Sequence, residues 1–151
     1  MNMQRGYTLL ELALVIGIIA VILYFSVPVG IRLYRVQLVE SARNQTKEIL
    51  KSARSQSILQ KNDITFGVKF DTAPSTIVLF QGASYALANH DLDEISTVPD
   101  TITFSVSIPA LNDILFAKRT GLPSATGTIT LSDGEFSRVL VVDDFGNVWK
   151  Q

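Results

Sequence analysis

Arg5-Gly6-Tyr7-Thr8-Leu9-Leu10-Glu11, followed by an apolar run that reaches Val29, decides the fold of this chain. From Leu12 to Val29 only Gly17, Ser26 and Pro28 are not apolar, with Tyr24 amphipathic. A stretch of this length reads as a membrane-spanning helix, which needs about 20 residues. Glu11 does not suit an ordinary anchor. A carboxylate costs about 2.5–3.5 kcal/mol at the bilayer centre and less near the interface, so an acid in such a segment normally has a partner. Glu11 therefore either rests among headgroups with no role or forms one half of a charge pair.

The order of features separates the segment from a secretory signal peptide. Such a peptide has a basic start, an apolar block of about 7–15 residues and a small-residue cleavage site after the block. Here the block is longer, begins beside an acid, and is followed by Val29-Gly30-Ile31-Arg32. The small residue, Gly6, comes first. Arg5-Gly6-Tyr7-Thr8-Leu9-Leu10-Glu11 with its apolar run resembles the class III leader of type IV pilins and type II secretion pseudopilins. That resemblance implies cutting after Gly6 by a prepilin peptidase, loss of residues 1–6, and N-methylation of Tyr7, where the family usually has Phe. It also implies that Glu11 pairs with the N-terminal ammonium of a neighbouring subunit. Two opposite charges in a low-dielectric bundle depend on each other, and loss of one strands its partner.

Beyond the run, residues 31–60 contain no Gly or Pro, and Leu38/Val39, Ala42, Thr46, Ile49/Leu50 and Ala53 recur at spacings of three and four. This is the stripe of an amphipathic helix, with Arg43, Lys47, Lys51 and Arg54 falling elsewhere. One helix from Tyr7 to Gln60 would be roughly 80 Å long at about 1.5 Å per residue. Pro28 removes one backbone hydrogen bond and is expected to kink or loosen it; pilins commonly carry a proline near this point.

After Lys61-Asn62-Asp63 the period becomes two. Ile64–Phe70, Thr76–Gln81, Ile102–Ser107, Asp113–Lys118, Gly127–Ser132, Arg138–Asp143 and Asn147–Lys150 read as strands, with residues 82–100 irregular. Asp133-Gly134 and Phe145-Gly146-Asn147 carry hairpin turn chemistry. The series Asp113-Ile-Leu-Phe116, Arg119-Thr-Gly121-Leu-Pro123, Gly127-Thr-Ile-Thr-Leu131, Arg138-Val-Leu-Val-Val142 and Gly146-Asn-Val148 resembles the head of the H-type minor pseudopilin and FimT-like minor pilin group.

The 151 residues suit an anchor and one soluble domain. The absence of cysteine excludes a disulfide-stapled head, thiol catalysis and zinc-thiolate sites. The net charge of −1 hides an asymmetry: residues 32–61 carry seven Lys/Arg against Glu40 and Glu48, and residues 62–151 carry five against eleven Asp/Glu. The basic stem is either a solvated face or a set of cations that meet acidic heads of adjacent subunits. Arg32 and Arg35, directly after the run, favour a cytoplasmic C-terminal side by the positive-inside bias. The leader motif argues for the opposite orientation and outweighs it.

No catalytic constellation is visible. The single His90 has no nucleophile motif near it, so the chain is not expected to be an enzyme, and no cofactor or metal is expected. Asn89-His90-Asp91-Leu92-Asp93-Glu94 offers oxygen ligands but lacks the loop glycine and spacing of an EF-hand. Asp143-Asp144 reads as a hairpin corner. Lys118, Arg119, Arg138 and Lys150 form at most a local patch, and the acidic head opposes phosphate, so DNA is not an expected partner.

The reading is therefore an α+β chain, a long N-terminal helix packed on an antiparallel β-sheet head. Residues 1–6 are the leader, 7–31 the transmembrane or filament-core helix, 32–61 the amphipathic stem and 62–151 the β head. What the resemblance implies is a filament subunit, first a minor pseudopilin of a type II secretion system and alternatively a minor type IV pilin serving assembly, adhesion or DNA uptake. Its expected partners are other pilin or pseudopilin subunits, the prepilin peptidase, an inner-membrane assembly platform and membrane lipid. Its expected location is a single-pass inner-membrane anchor with an extracytoplasmic head, then the filament.

Overall fold

The computed structural model describes residues 8–59, 64–72, 75–108 and 112–151, with the side chains of Val27 and Pro28 outside that description. One helix, α1, runs from Leu9 to Ile58. The strands are β1 (Phe66–Thr72), β2 (Ser75–Gln81), β3 (Glu94–Thr97), β4 (Thr103–Ser107), β5 (Asp113–Phe116), β6 (Gly127–Ser132), β7 (Ser137–Val142) and β8 (Val148–Lys150). The chain divides into two units, Met1–Val36 and Gln37–Gln151.

In the first unit the helix is long and apolar enough to cross a membrane, with a mean hydropathy of 2.7 in its most apolar window. Its large side chains from Leu9 to Phe25 are exposed. The Ser26 hydroxyl donates to the Ile22 carbonyl at 2.8 Å, so this polar side chain brings no unmade hydrogen bond into the apolar surface. The helix assignment continues through position 28. The kink expected at Pro28 rests on a side chain outside the described residues.

In the second unit Val39, Ala42, Thr46, Leu50 and Ala53 are buried, the stripe read from spacing. Thr46 is tolerated there because its hydroxyl donates to the Ala42 carbonyl at 2.8 Å. Ser57, also buried, continues the stripe one turn further, and its Oγ accepts the backbone N–H of Phe66. Against this stripe lie Phe66, Val68 and Phe70 of β1, Ile77 and Leu79 of β2, Ile114 and Phe116 of β5, and Ile129, Leu131, Leu140 and Val142 of β6 and β7.

The head is antiparallel throughout but forms two sheets, ordered β3-β2-β1-β5 and β4-β6-β7-β8. Phe70 and Phe104, with ring centroids 6.1 Å apart, join β1 to β4. β5 stops at Phe116, short of the expected Lys118, because the chain turns there: Arg119 and Gly121 have φ of 66° and 64°. Within 82–100 the structure adds the edge strand β3 and two 3-10 turns, Tyr85–Leu87 and His90–Leu92. This segment covers the second face of the first sheet, where Phe80 meets Tyr85 edge-on at 5.3 Å. Gly67 makes room for it, since a Cβ there would lie 2.5 Å from the Phe80 ring.

Candidate functional site

The residues that the leader motif singles out are Gly6, Tyr7 and Glu11. Gly6 and Tyr7 lie outside the described residues. Glu11 stands exposed in the first turn of α1. The hydroxyl of Thr8, directly before the helix, accepts the Glu11 backbone N–H at 3.3 Å. Thr8-x-x-Glu11 is the capping-box pattern, in which the hydroxyl satisfies an orphan N–H of the first turn and the acid lies where the helix dipole favours negative charge. Glu11 thus has a local structural setting besides any partner it meets in an assembly. The signal for this was present in the spacing of a threonine and a glutamate three residues apart.

The head places its chemistry at three points. At the first, Arg54 leaves the stem and reaches the C-terminal loops. Its Nη2 donates to the Phe145 carbonyl at 2.8 Å, its Nη1 to Asn147 Oδ1 at 3.0 Å and its Nε to the Gly121 carbonyl at 3.3 Å. Gly146, at φ 73°, allows this approach: a Cβ there would lie 2.5 Å from the Gly121 carbonyl oxygen and 3.1 Å from Arg54 Nε. Beside it, Asp143 is a hairpin corner. Its carboxylate accepts the backbone N–H groups of Phe145 and Asn147, the Asn147 amide and the Trp149 indole N–H. The indole bond, with the other donors, holds the carboxyl down to a pKa of about 2.

The second point is Glu40, one carboxylate shared by three cations. Arg43 lies one turn along α1, while Arg138 Nε and Lys150 Nζ, from β7 and β8, each stand 3.4 Å away. The hydrogen bond from Arg43, then its charge and Lys150, keep the Glu40 carboxyl below its usual range. Arg43 and Arg54 were read as lying off the apolar stripe among the stem cations; Arg43 is 9% exposed and pairs with Glu40 on its own helix, while Arg54 is engaged by the C-terminal loops of the head. Of the four head cations read as a local patch, Arg138 and Lys150 share Glu40, whereas Lys118 and Arg119 lie in the turn after β5.

The third point is the 82–93 segment. Lys69 Nζ stands 4.3 Å over the Tyr85 ring, which packs 4.7 Å from the His90 ring, and His90 Nδ1 is 2.8 Å from Asp93 Oδ2. Burial, then the nearby charges of Asp93 and Asp71, raises the Tyr85 pKa. This is a staple holding the segment to the sheet. Among the described residues no group of three or more His, Asp or Glu side chains is arranged to hold a metal ion.

Residues 1–23 match the prokaryotic N-terminal methylation motif. The fold is similar to that of the minor pseudopilin EpsH from the type 2 secretion system of Vibrio cholerae, with a TM-score of 0.57 at 12% identity, over 75% of this chain and 95% of that one. The N-terminal motif and the fold of this chain are each type IV pilin-like. No curated protein matches it. At 12% identity the structural likeness speaks for the fold, and the motif for the leader. Pilins and pseudopilins are structural subunits that assemble with one another rather than enzymes. The apolar N-terminal helix of this chain suits membrane anchoring, with the head as its soluble part.

Proposed function

We propose that this pilin-like subunit is a minor pseudopilin of a type II secretion system, acting in protein export. The observation that carries this reading is the pair of four-stranded antiparallel sheets packed on the helix stripe, the fold of a minor pseudopilin over nearly its whole length. In this reading residues 1–6 are removed after Gly6 by the prepilin peptidase, and Tyr7 becomes the methylated N-terminus. Residues 7–31 hold the inner membrane and later the filament core, with Pro28 loosening the helix. Residues 32–61 form the stem, and the head, 62–151, is extracytoplasmic. An inner-membrane platform extracts the subunit from lipid into the filament. Glu11 then neutralises the N-terminal ammonium of a neighbour, a pair that only the water-poor filament core makes indispensable.

The leader motif belongs equally to type IV pili, so a minor pilin serving assembly, adhesion or DNA uptake is the second reading. The head bears eleven acids against five cations, which speaks against DNA.

Deletion of the gene tests the choice, with exoproteins in the medium compared with those held in the periplasm. Periplasmic retention, relieved by the intact gene, supports the pseudopilin. Unchanged secretion with fewer pili moves the assignment to the pilus.

A further inference from the structure

Arg43 of α1, Arg138 of β7 and Lys150 of β8 share the single carboxylate of Glu40, and three cations against one acid leave positive charge in excess. The three bonds are unequal. Arg43 Nη2 donates to Glu40 Oε1, whereas Arg138 Nε and Lys150 Nζ stand at 3.4 Å. Charge-assisted hydrogen bonds close to about 2.7–2.9 Å, so Arg138 and Lys150 are only loosely committed to Glu40. Their side chains are 35% and 40% exposed, while Arg43 is nine-tenths buried. The Nε of Arg43 is buried and has no hydrogen-bond partner among the described residues. A buried donor left without an acceptor is costly, and it marks a place where an acceptor belongs. Lys47, one turn beyond Arg43 on α1, is a further cation without an ion-pair partner among the described residues.

The nearby acids do not cancel this excess. Lys150 pairs with the buried Leu140, which shares its face of β7 with Arg138, so both cations lie on the side of the sheet that meets α1. Trp149 pairs with Val141 and belongs to the opposite face. The Asp143 carboxylate that takes its indole N–H also takes two backbone N–H groups and the Asn147 amide. Asp143 is five residues from Arg138, about 17 Å along an extended strand and beyond the Debye length of about 8 Å. In the turn before β7, Asp133 accepts the N–H groups of Glu135 and Phe136, and Glu135 is itself engaged. Glu48 of α1 pairs with Lys51.

We propose that Arg43, Arg138 and Lys150 form a binding site for a single phosphate group, free or carried on a lipid headgroup. A carboxylate offers two coplanar oxygens, and Glu40 already supplies those. A phosphate presents oxygens in further directions, one toward each cation, and the guanidinium fork matches it. One phosphate meets only the local excess of positive charge, whereas a nucleic-acid strand would carry its phosphates across the acidic remainder of the head. The site is independent of which filament the subunit serves.

The full-length chain in an uncharged, phosphate-free detergent is titrated calorimetrically at constant ionic strength with inorganic phosphate, and separately with short-chain phosphatidylglycerol. Saturable binding of at least one probe is expected. Arg138→Gln combined with Lys150→Gln should weaken it at least tenfold. Glu40→Gln, which removes the competing carboxylate, should tighten it several-fold. A cluster with only a structural role gives the reverse for Glu40→Gln, a lower thermal midpoint and no gain in binding. Emission of Trp149, held by Asp143 on the other face, checks that each variant is folded. Binding of both probes, or of inorganic phosphate alone, makes phosphate itself the ligand, and binding of the lipid alone assigns the site to headgroups. No saturable binding of either probe, or binding that responds neither to the paired glutamines nor to Glu40→Gln, overturns the site.

Discussion

The indole N–H of Trp149 donates to Asp143 Oδ2 at 3.0 Å, across the β7–β8 corner. This bond gives the corner a pH dependence whose sign is fixed by the depressed carboxyl. A group with a lowered folded-state pKa adds stability above its unfolded value, near 3.9, and that stability is lost as pH falls through the folded value. For Asp143 the window therefore runs from about 4 down to about 2. Trp149 is the sole tryptophan, so its emission isolates the event. An acid titration should move it with a midpoint near pH 2, and Asp143→Asn should remove that step. A midpoint near 4 contradicts the tight corner.

Arg54 should not tolerate lysine. A lysine ammonium cannot reach the three separately placed acceptors Gly121 O, Asn147 Oδ1 and Phe145 O with one planar fork. Arg54→Lys is expected to cost about 2 kcal/mol, the scale of lost charge-assisted hydrogen bonds. The urea midpoint should fall, and amide exchange at Gly121 and Gly146 should accelerate. Unchanged exchange there would remove the clamp from the account of stability.

Glu11 can be tested without confusing its two settings. Glu11→Gln keeps a residue that the capping box accepts but deletes the charge. If the charge pair matters, Glu11→Gln and Glu11→Ala both leave cleavage intact and both drop out of sheared filaments. If the cap alone matters, Glu11→Gln assembles normally and Thr8→Ala fails with Glu11→Ala.

Two glycine substitutions should rank clearly. A Cβ on Gly127 would lie 2.1 Å from the Ser107 carbonyl oxygen across the β4–β6 pair. Backbone must move to admit it, and Gly127→Ala should cost about 2–3 kcal/mol. Gly134, at φ 90° in the β6–β7 turn, has open space around it, so Gly134→Ala brings only conformational strain of about 1 kcal/mol. Thermal unfolding of the two variants gives the order directly.

The helix was legible because its core contacts repeat at the period of the helix itself. Val39, Ala42, Thr46, Leu50 and Ala53 are neighbours on one face whatever they pack against. β6, Gly127–Ser132, was read at its observed bounds, since it alternates and is punctuated at both ends. β3 was not, because Glu94-Ile-Ser-Thr97 lies at a sheet edge and buries too little to leave a period. The split into two sheets was also invisible, since alternation marks a strand but does not choose its partner. Arg54 was unreadable for a related reason: its acceptors lie 67 to 93 residues away. Arg43 left a weak trace in its three-residue spacing from Glu40.

Because the acceptors of Arg54 are spread over Gly121–Asn147, the last hairpin closes a connection begun at the stem. A nascent chain emerges at about 5–20 residues per second, so this guanidinium waits several seconds for its acceptors to be synthesised. A chain truncated before β7 never acquires the Phe145 and Asn147 oxygens, and its half-formed head exposes the apolar faces that β7 and β8 cover. Proteolytic surveillance can therefore distinguish a finished subunit from an unfinished one by whether that corner is closed.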